Sequence, residues 1–386
     1  MKKKTVTILG ILILLFCFPL SAQAQDQGLD GWEQEYYEDQ MEQSGANDLP
    51  EELPNDARNI MERMGVNGTD WESLSALTPQ AIFGQVADSA KTQSSEPLQA
   101  VAKILSVMLL CALMEGLKFS VGDRPLSGVV SMVSTLCICM VIIMPVVSCI
   151  EEASSVINGA AGFLLCYVPV MAGIMIAGGQ GISAASYQVL MMGAGQVIAQ
   201  IASHILVPLL SIFLAMSITS AVSPRLNLNG ICAAVSKIVK WVLGLSMTVF
   251  VSLLTLQSLL GTAADSTGGK AAKFLLSSFV PVVGGALGDA LSTVQSCVRL
   301  LKSGVGAFGI VAAGCIFLPI LLKCLFWQAA VHLCACVGDV FSLGHLSSLL
   351  RAAGSVVGIM LSIILCCMLI LTVSTVIILM VGGGAA

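Results

Sequence analysis

The chain has 386 residues, 56% of them hydrophobic and 11% charged, with a mean hydropathy of +0.91. Soluble domains carry about 25% charged residues, so this composition cannot cover a soluble globule, and it excludes soluble enzymes, nucleic-acid binders and disordered chains. The net charge of −5 offers no basic surface for polyanions, and 5% aromatic residues argue against an outer-membrane barrel.

Residues 1–24 read as a signal peptide. Lys2, Lys3 and Lys4 precede the apolar run Val6–Leu20, and Ala22-Gln23-Ala24 forms a small-residue cleavage pattern. Cleavage before Gln25 would place the next segment outside the cytoplasm. Residues 25–97 hold 16 Asp/Glu against three Lys/Arg (Arg58, Arg63 and Lys91). They read as an acidic extracytoplasmic segment, partly disordered, without order through Pro50 and Pro54. Short helices are predicted around Asp56–Met64 and, after the cap Thr78, around Pro79–Lys91. Such a segment serves as a solvated linker or as a docking arm for an extracytoplasmic partner.

Residues 98–386 reverse the balance, with 12 basic and seven acidic side chains. Long apolar stretches at 98–119, 126–150, 156–178, 186–222, 238–260, 274–296, 304–342 and 354–380 predict an all-α polytopic membrane domain. Two stretches exceed one helical span and contain Pro208 and Pro319, so they are expected to be hairpins or broken helices. That gives about 8–10 membrane passages. Splitting both places Arg225, Lys237, Lys240, Arg299, Lys302 and Arg351 in the cytoplasm and Glu151-Glu152 outside.

The segments AAGFLLCYVPVMAG (160–173) and AAKFLLSSFVPVVGG (271–285) resemble one another. The next proline follows at similar spacing, from Pro169 to Pro208 and from Pro281 to Pro319. A duplication with a period of about 112 residues is expected, with repeats 126–235 and 238–345 followed by a terminal span at 354–380. Parallel and inverted arrangements both remain open. Pro169, Gly173, Pro208, Pro281, Gly284, Gly285 and Pro319 are candidate helix-break or pore positions. Proline removes an N–H, and the freed carbonyl must be satisfied by protein or water. The alternative is close helix packing through small residues.

Ionisable groups in apolar helices are costly, which makes Asp289, Lys323, His332 and Asp339 candidate intramembrane polar positions. Asp289 and Lys323 could neutralise one another. Gln180, Gln196 and Gln200 could bond between helices. The 14 cysteines lie mostly within apolar runs and lack zinc-site spacing, so they read as small hydrophobes. No catalytic residue, metal or cofactor is expected, and the chain reads as a non-enzyme.

The order of leader, acidic segment and polytopic region, together with the stretch Phe274-Leu275-Leu276-Ser277-Ser278-Phe279-Val280-Pro281-Val282-Val283-Gly284-Gly285-Ala286-Leu287-Gly288-Asp289-Ala290, resembles the stage III sporulation protein AE family. The resemblance covers about 98 to the end. It implies a multi-pass protein of the mother-cell membrane around the forespore of an endospore former. It further implies a channel or secretion-like complex required for late forespore development. The partners implied are other stage III A proteins, including an ATPase and ring-forming subunits, with the forespore protein Q across the intermembrane space. Lipid is the remaining partner, and no nucleic acid is expected. A stand-alone ion-coupled secondary transporter built on internal repeats is the alternative.

Overall fold

The computed structural model describes residues 31–70, 73–74, 77–121, 125–222, 229–279 and 284–380; of these, the side chains at 115–121, 125–132, 221–222, 229, 258, 260, 262–264, 266–279, 284–293, 378 and 380 are not described. The expected leader, Pro281 and the side chain of Asp289 lie outside the described residues.

Helices α1 (Gly31–Ser44) and α2 (Asn55–Arg63) flank a 3-10 turn at Ala46–Asp48. In α2, Ala57, Ile60 and Met61 are buried, continued by Met64 one turn on. This spacing puts one apolar stripe on one helix face, opposite Asp56, Arg58 and Glu62. Gly45, at φ +73°, turns the chain between α1 and the 3-10 turn, and Thr69 Oγ1 donates to the Ala46 carbonyl at 3.1 Å. The acidic segment is therefore packed, where its composition suggested no order through Pro50 and Pro54. Enough apolar residues (Met41, Leu49 and Leu53 among them) sit beneath its charged face to anchor it. Burial, followed by the nearby Cys297 and Asp39, pushes the Tyr36 phenol above its ordinary pKa.

The membrane region consists of long helices: α3 (Pro79–Val121), α4 (Pro125–Ala177), α5 (Gly181–Leu190), α6 (Gln196–Ile201), α7 (Val207–Val222), α8 (Asn229–Phe279), α9 (Gly284–Val340) and α10 (Gly344–Met380). Five-residue π turns at Met191–Gly195 and Ala202–Leu206 join α5, α6 and α7 into one interrupted leg. No strand occurs among the described residues. Six helical stretches are long and apolar enough to cross a membrane: Pro79–Met114, Val133–Ala177, Gly181–Ser220, Gly230–Gln257, Val294–Val340 and Gly344–Ile377. The protein is all-α and polytopic, as expected.

The count of six, among the described residues, is lower than the eight to ten passages expected. The stretches 126–150 and 156–178 are one helix, because α4 does not turn at Glu151-Glu152. Nor do 186–222 and 304–342 fold back as hairpins. Helix α3 also runs through Pro97, so the expected boundary between 97 and 98 falls inside a helix. Each expected repeat unit contributes a long helix followed by a second leg: α4 with the α5–α7 leg, then α8 with α9.

Helix α9 is the axis. It packs against α10, α3, α4, α8 and the α1–α2 layer, and its most apolar window is 89% buried. Phe308, Phe317 and Trp327 are all almost wholly enclosed. Phe163 and Tyr167 of α4 join them, with the Phe163 ring 5.5 Å from Tyr167 and 6.5 Å from Phe308. Glycine permits this closeness at Gly309, where a Cβ would come within 2.6 Å of the Tyr167 ring. Small residues of this kind let helices approach where lipid supplies no hydrophobic drive between them. On α10, Thr372, Ser374 and Thr375 are buried and donate back to carbonyls of their own helix.

Candidate membrane-embedded polar site

Lys323 lies about mid-way between Gly306 and Val340 on α9 and points at α4. Its Nζ donates to Glu152 Oε2 at 2.5 Å. The lysine side chain is 13% exposed and the glutamate 35%. Glu96 of α3 adds its negative field from a third helix. Helix propensity explains how α4 passes this level unbroken: glutamate is a good helix former, and Lys323 compensates its charge. Cys149 and Cys324 are both buried beside the pair.

One turn further along α9, Trp327 is wholly buried, and its indole N–H has no hydrogen-bond partner among the described residues. Gln328 and His332 then share a contact at 3.2 Å between Nε2 atoms, four residues apart on one helix face. Gly358 and Gly354 of α10 make room for them: a Cβ on Gly358 would lie 3.0 Å from Gln328, and one on Gly354 would lie 3.5 Å from His332. At the end of α9, Asp339 pairs with Arg351 of α10.

Lys323, His332 and Asp339 thus share one helix but not one site. The rise of an α-helix puts Lys323 about 24 Å from Asp339 along the axis. Lys323 faces α4, whereas His332 and Asp339 face α10. Sequence reasoning paired Lys323 with Asp289, but in the structure its partner is Glu152, 171 residues away. Glu152 was read as part of an extracytoplasmic connection because two adjacent carboxylates interrupt the apolar pattern. The lone lysine within 304–342 was the available sign that such a partner exists.

Pro169 and Gly173 stand inside uninterrupted α4, alongside Pro145, and Pro319 stands inside α9. Gly284 and Gly285 open α9. Among the described residues, π turns interrupt the leg from 181 to 222, and Pro208 follows the second of them after one residue. Between the π turns, Gln196 Nε2 donates to the Ala161 carbonyl of α4 at 2.9 Å. His204, within the second, accepts or donates at Nδ1 to Ser203 Oγ at 2.8 Å. π turns accommodate an extra residue by widening the helix, and they recur where a helix must reshape locally.

A second polar cluster lies at the opposite end of α9. Lys302 is 6% exposed, and its Nζ donates to Gln180 Oε1 at 3.3 Å. Gln180 sits in the tight α4–α5 turn made by Gly179 at φ +76°, where its N–H reaches the Met175 carbonyl at 2.9 Å. Asp265 of α8 caps α5 from across the bundle by accepting from the Ile182 and Ser183 N–H groups at 3.1 and 3.0 Å. A carboxylate here satisfies donors that the first helical turn leaves unpaired and faces the positive end of the helix dipole. Gln257 adds a bond to the Ser183 carbonyl at 3.2 Å. Sequence reasoning placed Lys302 in the cytoplasm as a topological charge and missed its burial.

These contacts pin helices together, and among the described residues no group of three or more His, Cys, Asp or Glu could hold a metal ion. The description "Stage III sporulation protein AE" matches residues 71–382. The chain belongs to the stage III sporulation protein AE family. It is also 25% identical over 167 residues to "Stage III sporulation protein AE" of Bacillus subtilis (strain 168). That alignment spans 43% of this chain and 42% of the relative's length. No solved structure matches the chain. The family match takes in Glu96, Glu152, Lys302 and Lys323, whereas α1 and α2 lie before it. The protein is a sporulation-related, multi-pass membrane protein.

Proposed function

We propose that this family member is an integral component of a channel complex that links mother cell and forespore, with no catalytic step of its own. The observation that carries this reading is the filled axis. Phe308, Phe317 and Trp327 of α9 occupy the centre of the bundle, each at most 1% exposed. A bundle packed at its centre suits a wall or gate subunit, whose passage forms with other subunits. In this reading the protein sits in the mother-cell membrane surrounding the forespore. The α1–α2 layer lies outside the cytoplasm, and the partners are the ATPase and ring-forming members of the same sporulation set and the forespore protein Q opposite.

Affinity purification from sporulating cells tests this directly. Ring and ATPase subunits should co-purify, and deletion should silence a late forespore reporter without affecting an early one. Retention of late reporter activity in the deletion strain overturns the reading. A thiol-reactive, membrane-impermeant label applied to a cysteine-free background should modify a cysteine at Ser44 from outside and spare one at Ser348.

One observation favours the alternative of an ion-coupled transporter: the Lys323–Glu152 pair sits among apolar helices, where ionisable groups are commonly functional. Saturable, gradient-driven uptake by the purified protein in liposomes, abolished by Glu152→Gln, would establish that reading instead.

A further inference from the structure

A cavity of about 610 Å³ opens between α7, α8 and α10, beside the Asp339–Arg351 pair at the end of α9. Its volume lies within the roughly 300–1,000 Å³ typical of small-molecule sites. Three helices each present a row of residues three or four apart. Lys237 and Lys240 come from α8 with Ser236, Ser348 and Arg351 from α10, and Ser217 from α7. The electrostatics are one-sided. No acidic residue occurs in the sequence between Glu152 and Asp265, and none occurs in α10. Among the described residues, Asp339 beside the cavity is engaged by Arg351. Neither Lys237 nor Lys240 has an ion-pair partner among the described residues, and both are exposed.

We infer that this cavity binds a phosphate-bearing anion, with Lys237 and Lys240 supplying charge, Arg351 adding N–H donors beside its pair with Asp339, and the Ser236 hydroxyl donating to a phosphate oxygen. Ammonium and guanidinium groups attract the charge, while neutral hydroxyls fix orientation without adding a competing carboxylate. The surroundings add a second argument. Trp241, 66% exposed, follows Lys240 directly, and exposed Ile231, Ile238 and Leu245 continue along α8. Amphipathic tryptophan marks the headgroup level, and basic pockets between membrane helices on the cytoplasmic side receive anionic headgroups. A glycerophospholipid seated here would place its phosphate in the cavity and its acyl chains along that apolar stripe. A soluble phosphate compound would use the same cations without the stripe.

The test uses the full-length protein in zwitterionic detergent, with lipid retention read by native mass spectrometry. Phosphatidylglycerol should be retained in preference to phosphatidylcholine. Replacing both lysines (Lys237→Gln with Lys240→Gln) should weaken retention roughly thirtyfold, the effect of two basic groups at a membrane surface. Removing a positive charge elsewhere, by Lys91→Gln on α3, should change nothing. Phosphatidylglycerol retained against excess inorganic phosphate identifies a lipid source. Displacement by inorganic phosphate, lost in the double variant, identifies a soluble one. Equal retention of phosphatidylglycerol by the wild-type protein and the double variant, with phosphate without effect on either, overturns the inference. Should the double variant fail to fold, the same lipid preference and phosphate competition on the wild-type protein decide the matter. No preference for phosphatidylglycerol and no effect of phosphate would then overturn it.

Discussion

In α9 the most apolar window is 89% buried, while in α8 the corresponding figure is 22%. Both helices exceed fifty residues and are rich in Leu and Val. Helix α9 presents Gly306 and Gly309 to Leu379 and Tyr167, and nearly every side chain between 304 and 322 is buried. Helix α8 directs Trp241, Leu245, Val249, Leu253 and Leu256 outward and keeps only a narrow inner row, including Val239, Phe250 and Leu254, against its neighbours. The contrast teaches that apolarity does not distinguish the axis of this bundle from its rim. Fit does: α9 is held by side-chain shape, by the buried Lys302 and by the half-buried Lys323, whereas α8 is held by a few inner residues and by the polar bridge from Asp265 and Gln257 to α5.

Substitutions on the two helices should therefore differ sharply. The largest effect is expected at Gly309→Ala, because the added methyl meets a tyrosine that is itself enclosed and cannot swing away. Overpacking of this kind costs about 2–3 kcal/mol, read as a lowered unfolding temperature in detergent. Next comes Glu152→Ala, which leaves Lys323 without its partner. The loss should be about 2 kcal/mol, below that of a fully enclosed pair because the carboxylate is partly exposed. Lys323→Met in the same chain should recover most of it, and failure to do so would show that the pair itself does not hold α4 to α9.

A smaller effect is expected on the α8 side from Asp265→Ala, which uncaps α5 at a cost of about 1 kcal/mol. Faster amide exchange at Ile182 and Ser183 would report it. Least of all, Leu245→Ala and Leu253→Ala on the outer face of α8 should change stability by less than about 0.5 kcal/mol. A drop comparable to that of Gly309→Ala would mean that a protein, rather than lipid, covers this face.

The all-helical character and the membrane as solvent were legible from composition and periodicity alone. The helix ends were not. Glu151-Glu152 and Pro319 both resemble interruptions locally, yet α4 continues because Lys323 neutralises one carboxylate, and α9 stays helical through the proline within the densely buried stretch 304–322. The polar site shows the same limit. Lys323, His332 and Asp339 stood out as charged or titratable groups in an apolar run, but Glu152 and Gln180 acquire their roles only through partners 171 and 122 residues away. The order in 31–64 was hidden for a related reason. Its buried residues are a minority among acidic ones, and the surface they bind belongs to α4 and α9.

That last surface sets a sequence of events. The α1–α2 layer leaves the ribosome before α3–α10, yet Pro54 rests on Gly159, Glu52 meets Cys166, and both short helices lean on α9. More than two hundred residues must be synthesised before that seat exists. The α1–α2 layer is thus made before the helices it rests on and is among the last parts to dock, so its docking marks a completed bundle.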